Sequence, residues 1–192
     1  MSKDRIINVT RLIQGKKGKI LDLGFGYGYF EQKIKEKKSN FELYGIDISS
    51  YAVEQARKQY GQNFFIGPIS NKLPFNNNFF DYVVSLECLE HIESNKIIKT
   101  LSEVRRVLKI KGKAIFSVPI NEKYTNNFNP NNHLRRYSQK LFINELNIVG
   151  FKIEKIINLF AFSNYYSLKS FLKFLFPKRW KPNVLIVECA IK

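Results

Sequence analysis

The stretch Ile20-Leu21-Asp22-Leu23-Gly24-Phe25-Gly26-Tyr27-Gly28-Tyr29-Phe30 decides how this chain is read. It has the form of a short buried strand that ends on an acidic residue and turns through three alternate glycines into a helix. Backbone without Cβ atoms lets a ligand come close, and the helix N-terminus behind it adds oriented N–H groups. The pattern points to a nucleotide-like cofactor. A dinucleotide fingerprint needs glycines as G-x-G-x-x-G. Counted from Gly24 the third position is Tyr29, and counted from Gly26 it is Glu31, so both registers fail.

Working outward, residues 1–14 carry Ile6, Ile7, Val9, Leu12 and Ile13 at near-helical spacing, which predicts an amphipathic helix before the first strand. Strands are predicted at 19–23, 41–46, 63–66, 80–85 and 113–118, with a turn at Gly112 leading into the last of these. Helices are predicted from Tyr27 to Lys37, after a cap at Ser49 or Ser50, near 95–108, and from Ser138 to Val149. Two further strands, 151–159 and 184–191, flank an aromatic, basic insertion at 161–183. Strands alternating with helices imply an α/β fold, a parallel sheet covered on both faces. The last two strands have no evident crossover helix between them, which predicts an antiparallel pair at the sheet edge.

In such a sheet, ligands sit beyond the carboxyl ends of the strands, so the loops there converge on one molecule. Asp47 ends the second strand 25 residues after Asp22, as one strand–helix–strand unit requires, and its carboxylate can accept bonds from two ribose hydroxyls. The pattern Asp22-x-Gly24-x-Gly26-x-Gly28 resembles motif I of the class I S-adenosyl-L-methionine (SAM)-dependent methyltransferases. Leu89-Glu90-His91-Ile92 resembles the L-E-H-I motif of their large type 11-like branch. Gly67-Pro68-Ile69-Ser70-Asn71-Lys72-Leu73-Pro74-Phe75 is similar to that family's G-D-x-x-x-x-L-P-F segment, with Pro68 where the adenine-binding Asp usually stands.

The resemblance covers about residues 18–160. It implies one domain over 1–192 built on a Rossmann-like doubly wound sheet of seven strands, mostly parallel with an antiparallel last strand. It implies SAM as cofactor, held by Asp22, Gly24, Phe25, Gly26, Gly28, Asp47, Ile48, Ile69, Ser70 and Leu86. With Pro68 in place of the acid, Ser70 or Asn71 is left to supply an acceptor and the Ile69 backbone to read the adenine edge.

Methyl transfer from a sulfonium is an in-line displacement, so alignment supplies much of the rate. A hydroxyl or ammonium acceptor also needs a proton removed, work suited to histidine. The chain has two histidines, His91 and His133, and both fall in loops predicted at the mouth. Either is a candidate general base; the alternative is that they cap or anchor those loops. No metal is the leading expectation. Glu87, Glu90 and His91 nevertheless match the E-x-x-E-H metal ligands of ubiquinone-pathway and small-RNA methyltransferases. If residues 87–91 were helical, all three would share a face, with His133 completing a site for Mg²⁺ or Mn²⁺.

Composition sets the outer bounds. At 192 residues and 44% hydrophobic content the chain is long enough for a real core. No run approaches a membrane span or a signal peptide's apolar segment, so the expectation is cytoplasmic. Cys88 and Cys189 lack metal-site spacing and read as buried apolar residues. The net charge of +16 is uneven: residues 123–192 hold twelve Lys/Arg against Glu145, Glu154 and Glu188. That field suits nucleic acid, an anionic membrane or acidic substrates, or reflects a Lys-, Asn- and Ile-rich composition alone. In the insertion, Leu168, Phe171, Leu172 and Leu175 form an apolar stripe opposite Lys169 and Lys173. It fits a peripheral membrane contact, a lid over a greasy acceptor, or a helix packed back on the sheet edge as a dimer contact or core helix. The leading function is methyl transfer to an O or N of a small or lipid-like molecule. The alternatives are an RNA methyltransferase and a non-catalytic binding protein on the same fold.

Overall fold

The computed structural model describes residues 3–122, 129, 131–160 and 181–192. The chain runs Lys3–Leu12 (α1), Gly18–Leu23 (β1), Tyr29–Glu36 (α2), Phe41–Asp47 (β2), Ser50–Tyr60 (α3), Phe64–Ile66 (β3) and Phe80–Leu86 (β4). It continues through a 3-10 turn at Leu89–His91, then Ile97–Val107 (α4), Leu108–Pro119 (β5), Gln139–Val149 (α5), Phe151–Leu159 (β6) and Val184–Ile191 (β7). The seven strands form one sheet in the order β3-β2-β1-β4-β5-β7-β6. β7 runs antiparallel to both neighbours, so it lies between β5 and β6, and β6 takes the edge.

Period-two alternation sorts the strand residues onto two faces. Leu21 and Leu23, Val83, Ala114 and Phe116, and Leu185 and Val187 face α4 and α5, where they meet Leu101, Val104, Phe142 and Leu146. Ile20, Val84, Ile115 and Ile186 face the other way, onto Val9 and Ile13 of α1, Phe30 and Ile34 of α2, and Val53 and Ala56 of α3. Both faces are covered, as a mostly parallel sheet requires. The C-terminal ends of β1 to β5 therefore share one edge, and the chemistry-bearing loops collect there.

Local chemistry sets the ends. Ser49 caps α3 by accepting from Ala52 N at 3.2 Å, and Ser138 caps α5 by accepting from Leu141 N at 3.2 Å. Gly28, in the left-handed region at φ 70°, caps α2, so that helix starts at Tyr29 and not at the expected Tyr27. A second expectation changes at Gly112. β5 starts at Leu108, before the predicted turn, and the turn is a bulge inside the strand. Phe80 pairs with Leu108 and Tyr82 already pairs with Lys113, so residues 109–112 loop out between them. A Cβ on Gly112 would press to 2.9 Å from Lys109 O, which is why the bulge needs glycine. The predicted insertion lies, from 161 to 180, outside the described residues, as do residues 123–128 and 130.

Candidate active site

β1 delivers Asp22 and then the glycine turn to the sheet edge. Gly24 has φ +76° and Gly26 φ +55°, conformations that side-chain-bearing residues rarely adopt. A Cβ on Gly24 would collide with Cys88 Sγ, whereas a Cβ on Gly26 meets nothing within 4 Å. Gly24 is thus required by packing beneath the loop, and Gly26 leaves open space above it. Asp47 ties the two strand ends together: its carboxylate accepts from Gly26 N and from Ser49 N, each at 2.8 Å. Those bonds use one lone pair on each oxygen and leave the others to accept ribose hydroxyls. Ile48, next in sequence, is 75% exposed at the mouth.

Under the loop, Asp22 and Glu31 are both buried. Asp22 Oδ1 and Glu31 Oε2 have no hydrogen-bond partner among the described residues. Burial, then Glu31 and Asp47, push the Asp22 carboxyl well above its ordinary value. Burial raises Glu31 to about 7, with Asp47 adding to the effect. A carboxyl pair in low dielectric shares protons until a cation arrives. The α-ammonium and sulfonium of SAM supply such cations, so the orphaned oxygens, the open space at Gly26 and the Asp47 carboxylate fit this cofactor. Glu31 was not singled out from the sequence; its position three residues after Gly28, in the first turn of α2, was the available signal.

The remaining expected cofactor residues divide. Leu86 is the buried last residue of β4. Phe25 is also buried, edge-on to Phe64 at 5.2 Å between ring centroids, so its side chain braces the loop. Ile69 joins the core beside Leu73, which leaves only its backbone for a ligand. Ser70 stands half-buried in the turn after β3, where Asn71 N donates to Pro68 O at 3.3 Å. A hollow of about 480 Å³ also lies along α3 beside Gly26, Tyr27 and Gly28. Its lining includes none of Asp47, Leu86, His91 and His133, so it lies to one side of the strand ends.

Beyond β4 the structure brings the two histidines together. Their rings meet edge to face, 5.0 Å between centroids at 83°. His91 is exposed. Burial of part of its ring and the neighbouring His133 hold its pKa below the ordinary 6.5. His133 is buried; its Nδ1 lies 2.8 Å from Glu122 Oε2 and its Nε2 4.0 Å from Glu90 Oε1. Leu134 N and Arg135 N both donate to the Glu90 carbonyl, at 2.9 and 3.1 Å, and fasten this loop onto the 3-10 turn.

The expected set Glu87, Glu90, His91 and His133 is corrected at its first member. Residues 87–91 are not one α-helix: Glu87 has φ +54°, and only Leu89–His91 form a 3-10 turn. Glu87 turns toward α1, where Arg5 Nη2 meets it at 2.9 Å. Glu90, His91 and His133 do converge, each offering a ligand atom within 4.8 Å of the others. Both Glu90 oxygens are buried without a hydrogen-bond partner among the described residues, and burial followed by Glu87 raises this carboxyl to about 9. An orphaned carboxyl with two imidazoles fits a divalent cation, which would displace that proton.

A mostly parallel seven-stranded sheet with a reversed strand, a glycine turn and an acid at the end of β2 define a Rossmann-like α/β fold with a cofactor-sized opening at its strand ends. Residues 20–112 match the model of the methyltransferase domain family. Just under half of the chain therefore matches a methyltransferase domain, and its sheet has the fold of solved SAM-dependent methyltransferases. It is 32% identical over 139 residues to an uncharacterized protein of Methanocaldococcus jannaschii, covering 70% of this chain and 55% of that protein. It is 31% identical over 107 residues to the demethylmenaquinone methyltransferase of Thermotoga maritima, covering 56% of this chain and 46% of that enzyme. The chain thus spans about half the length of these relatives. A SAM-dependent methyltransferase of Archaeoglobus fulgidus superposes with a TM-score of 0.76 at 16% identity, covering 98% of this chain and 92% of that one. Among the described residues no helix is long and apolar enough to cross a membrane.

Proposed function

We propose that this protein transfers the methyl group of SAM to an oxygen or nitrogen of a small or lipid-like molecule, with the His91–His133 pair receiving the acceptor's proton. The observation that carries this reading is the meeting of the chain's two histidines, 5.0 Å apart, just past the end of β4. SAM supplies an electrophilic methyl on a sulfonium. Asp47 and the Gly24–Gly28 turn orient the nucleoside, and Asp22 with Glu31 complement its positive charge. His91 is the exposed member of the pair. Its lowered pKa keeps the ring neutral and able to accept a proton near pH 7.

The test is transfer of labelled methyl from SAM to a panel of phenols, quinols, amines and fatty acids. In it, His91→Asn lowers turnover by about 10²–10⁴-fold. S-adenosylhomocysteine affinity, measured by calorimetry, stays unchanged. Turnover equal to wild type overturns the role. Because the His91 pKa is lowered, the acid limb of the wild-type rate profile falls below pH 6.5.

A second reading rests on the orphaned Glu90 oxygens. Glu90, His91 and His133 would hold Mg²⁺ or Mn²⁺, which would bind adjacent acceptor oxygens and ease loss of their proton. Activity that survives exhaustive EDTA treatment ends it; loss restored by Mn²⁺ supports it.

A further inference from the structure

Glu122 lies at the end of the segment that leaves β5, and neither the sequence reading nor the family motifs gave it a role. Its Oε2 sits 2.8 Å from His133 Nδ1, and its side chain is 16% exposed, so the contact is largely shielded from water. The His133 backbone is held separately. Asn129 Oδ1 accepts from His133 N at 3.1 Å, and Asn129 Nδ2 donates to His133 O at 2.8 Å. The main chain is thus clamped and the ring packs edge-on to His91, so the Glu122 contact bears on which ring nitrogen carries the proton. A carboxylate only accepts, so it selects the form with hydrogen on Nδ1.

We propose that Glu122 is a positioning residue that holds His133 as the Nδ1–H tautomer, so that Nε2 presents its lone pair toward Glu90 and the site mouth. A neutral imidazole in water favours the opposite form, with hydrogen on Nε2, and that form would offer a donor where the site needs an acceptor. The same arrangement serves His133 as a base or as a metal ligand. In both roles a carboxylate on the far nitrogen fixes the ring's orientation and tautomer. The inference rests on the reading of His133 as a working residue, but its structural claim is measurable without any acceptor.

The experiment is ¹⁵N–¹H correlation spectroscopy of the neutral imidazoles in the 192-residue chain. The chain has two histidines, and a His91→Asn variant assigns them. Wild type is expected to show His133 protonated on Nδ1. Glu122→Leu shifts it to the Nε2–H form, and Glu122→Gln restores Nδ1–H, because the amide oxygen also accepts. A merely structural Glu122 would not discriminate leucine from glutamine at this nucleus. Wild-type His133 found as Nε2–H overturns the proposal, and that measurement needs no variant to fold. An unchanged tautomer in a folded Glu122→Leu protein overturns it too.

Turnover separates this claim from the reading it rests on. Glu122→Leu should lower turnover about 10–100-fold, the usual cost of losing such a partner, with Glu122→Gln close to wild type. If the tautomer follows Glu122 while His133→Asn turns over normally, Glu122 positions the ring as inferred and the role given to His133 in the reaction fails.

Discussion

The buried acids under the glycine turn make a pH signature. An unfolded chain ionises Asp and Glu near their ordinary values, but burial, then Glu31 and Asp47, raise Asp22, and burial with Asp47 brings Glu31 from 4.5 to about 7. Between these values the folded state binds more protons than the unfolded one, so stability falls as pH rises through that window and stays lower above it. Around the pair stand Asp47 at the end of β2, the Tyr60 hydroxyl of α3 and the Cys88 thiol, none of which supplies a cation. Glu31→Gln removes one acid and gives Asp22 an amide donor. Its melting temperature should exceed wild type at pH 8 and converge with it near pH 4.5, by about 2–4 °C for each kcal/mol relieved. Parallel melting curves across that range would refute the assignment. At this scale Asp22, Gly24 and Asp47 were legible in the sequence, because a strand-end acid and alternate glycines form a local pattern. Glu31 and Glu122 were not. What they do depends on which groups face them after folding, Asp22 in one case and His133 in the other.

Elements explain why Glu87 leaves the cluster that its spacing suggested. β4 ends at Leu86, and the next residue takes a left-handed backbone conformation with its N–H bonded to Ser117 O at 3.0 Å. That turn directs the Glu87 side chain toward α1, and Arg5 meets it from there, the two side chains 6% and 22% exposed. Burial raises the Glu87 carboxyl, and Arg5 acts in the other direction by favouring its charge. The N-terminal helix is thereby bolted to the strand that carries the site. Arg5→Ala leaves an uncompensated buried acid, and removing one partner of such a pair costs about 3–5 kcal/mol. Adding Glu87→Gln should recover much of that loss, and a double-mutant cycle in urea measures it. Additive losses would mean that the pair does not hold α1. Most element positions were legible because β-branched runs and caps such as Ser49 and Ser138 mark them locally. The bulge at 109–112 was not, because a turn and a strand bulge use the same glycine and differ only in which partner the flanking residues pair with.

For the whole molecule, the net charge of +16 has to be reconciled with a site built from carboxyls and imidazoles. Positive charge draws any polyanion, whatever the reaction, and such binding carries no information about the acceptor. Salt separates attraction from recognition. Each phosphate contact releases a counterion, and a protein making six to ten of them loses about 10³–10⁵ in affinity between 50 and 200 mM salt. If the acceptor is a small or lipid-like molecule, a structureless RNA oligonucleotide should bind at low salt, detach near physiological salt, and leave S-adenosylhomocysteine affinity untouched. An RNA substrate would instead retain saturable binding at physiological salt and accept labelled methyl there. That result would move the acceptor from the small molecule proposed to nucleic acid, while leaving the roles of Asp47, the glycine turn and the histidine pair as they stand. On the proposed reading those residues act on the cofactor and on the transferred proton, and neither depends on what carries the nucleophile.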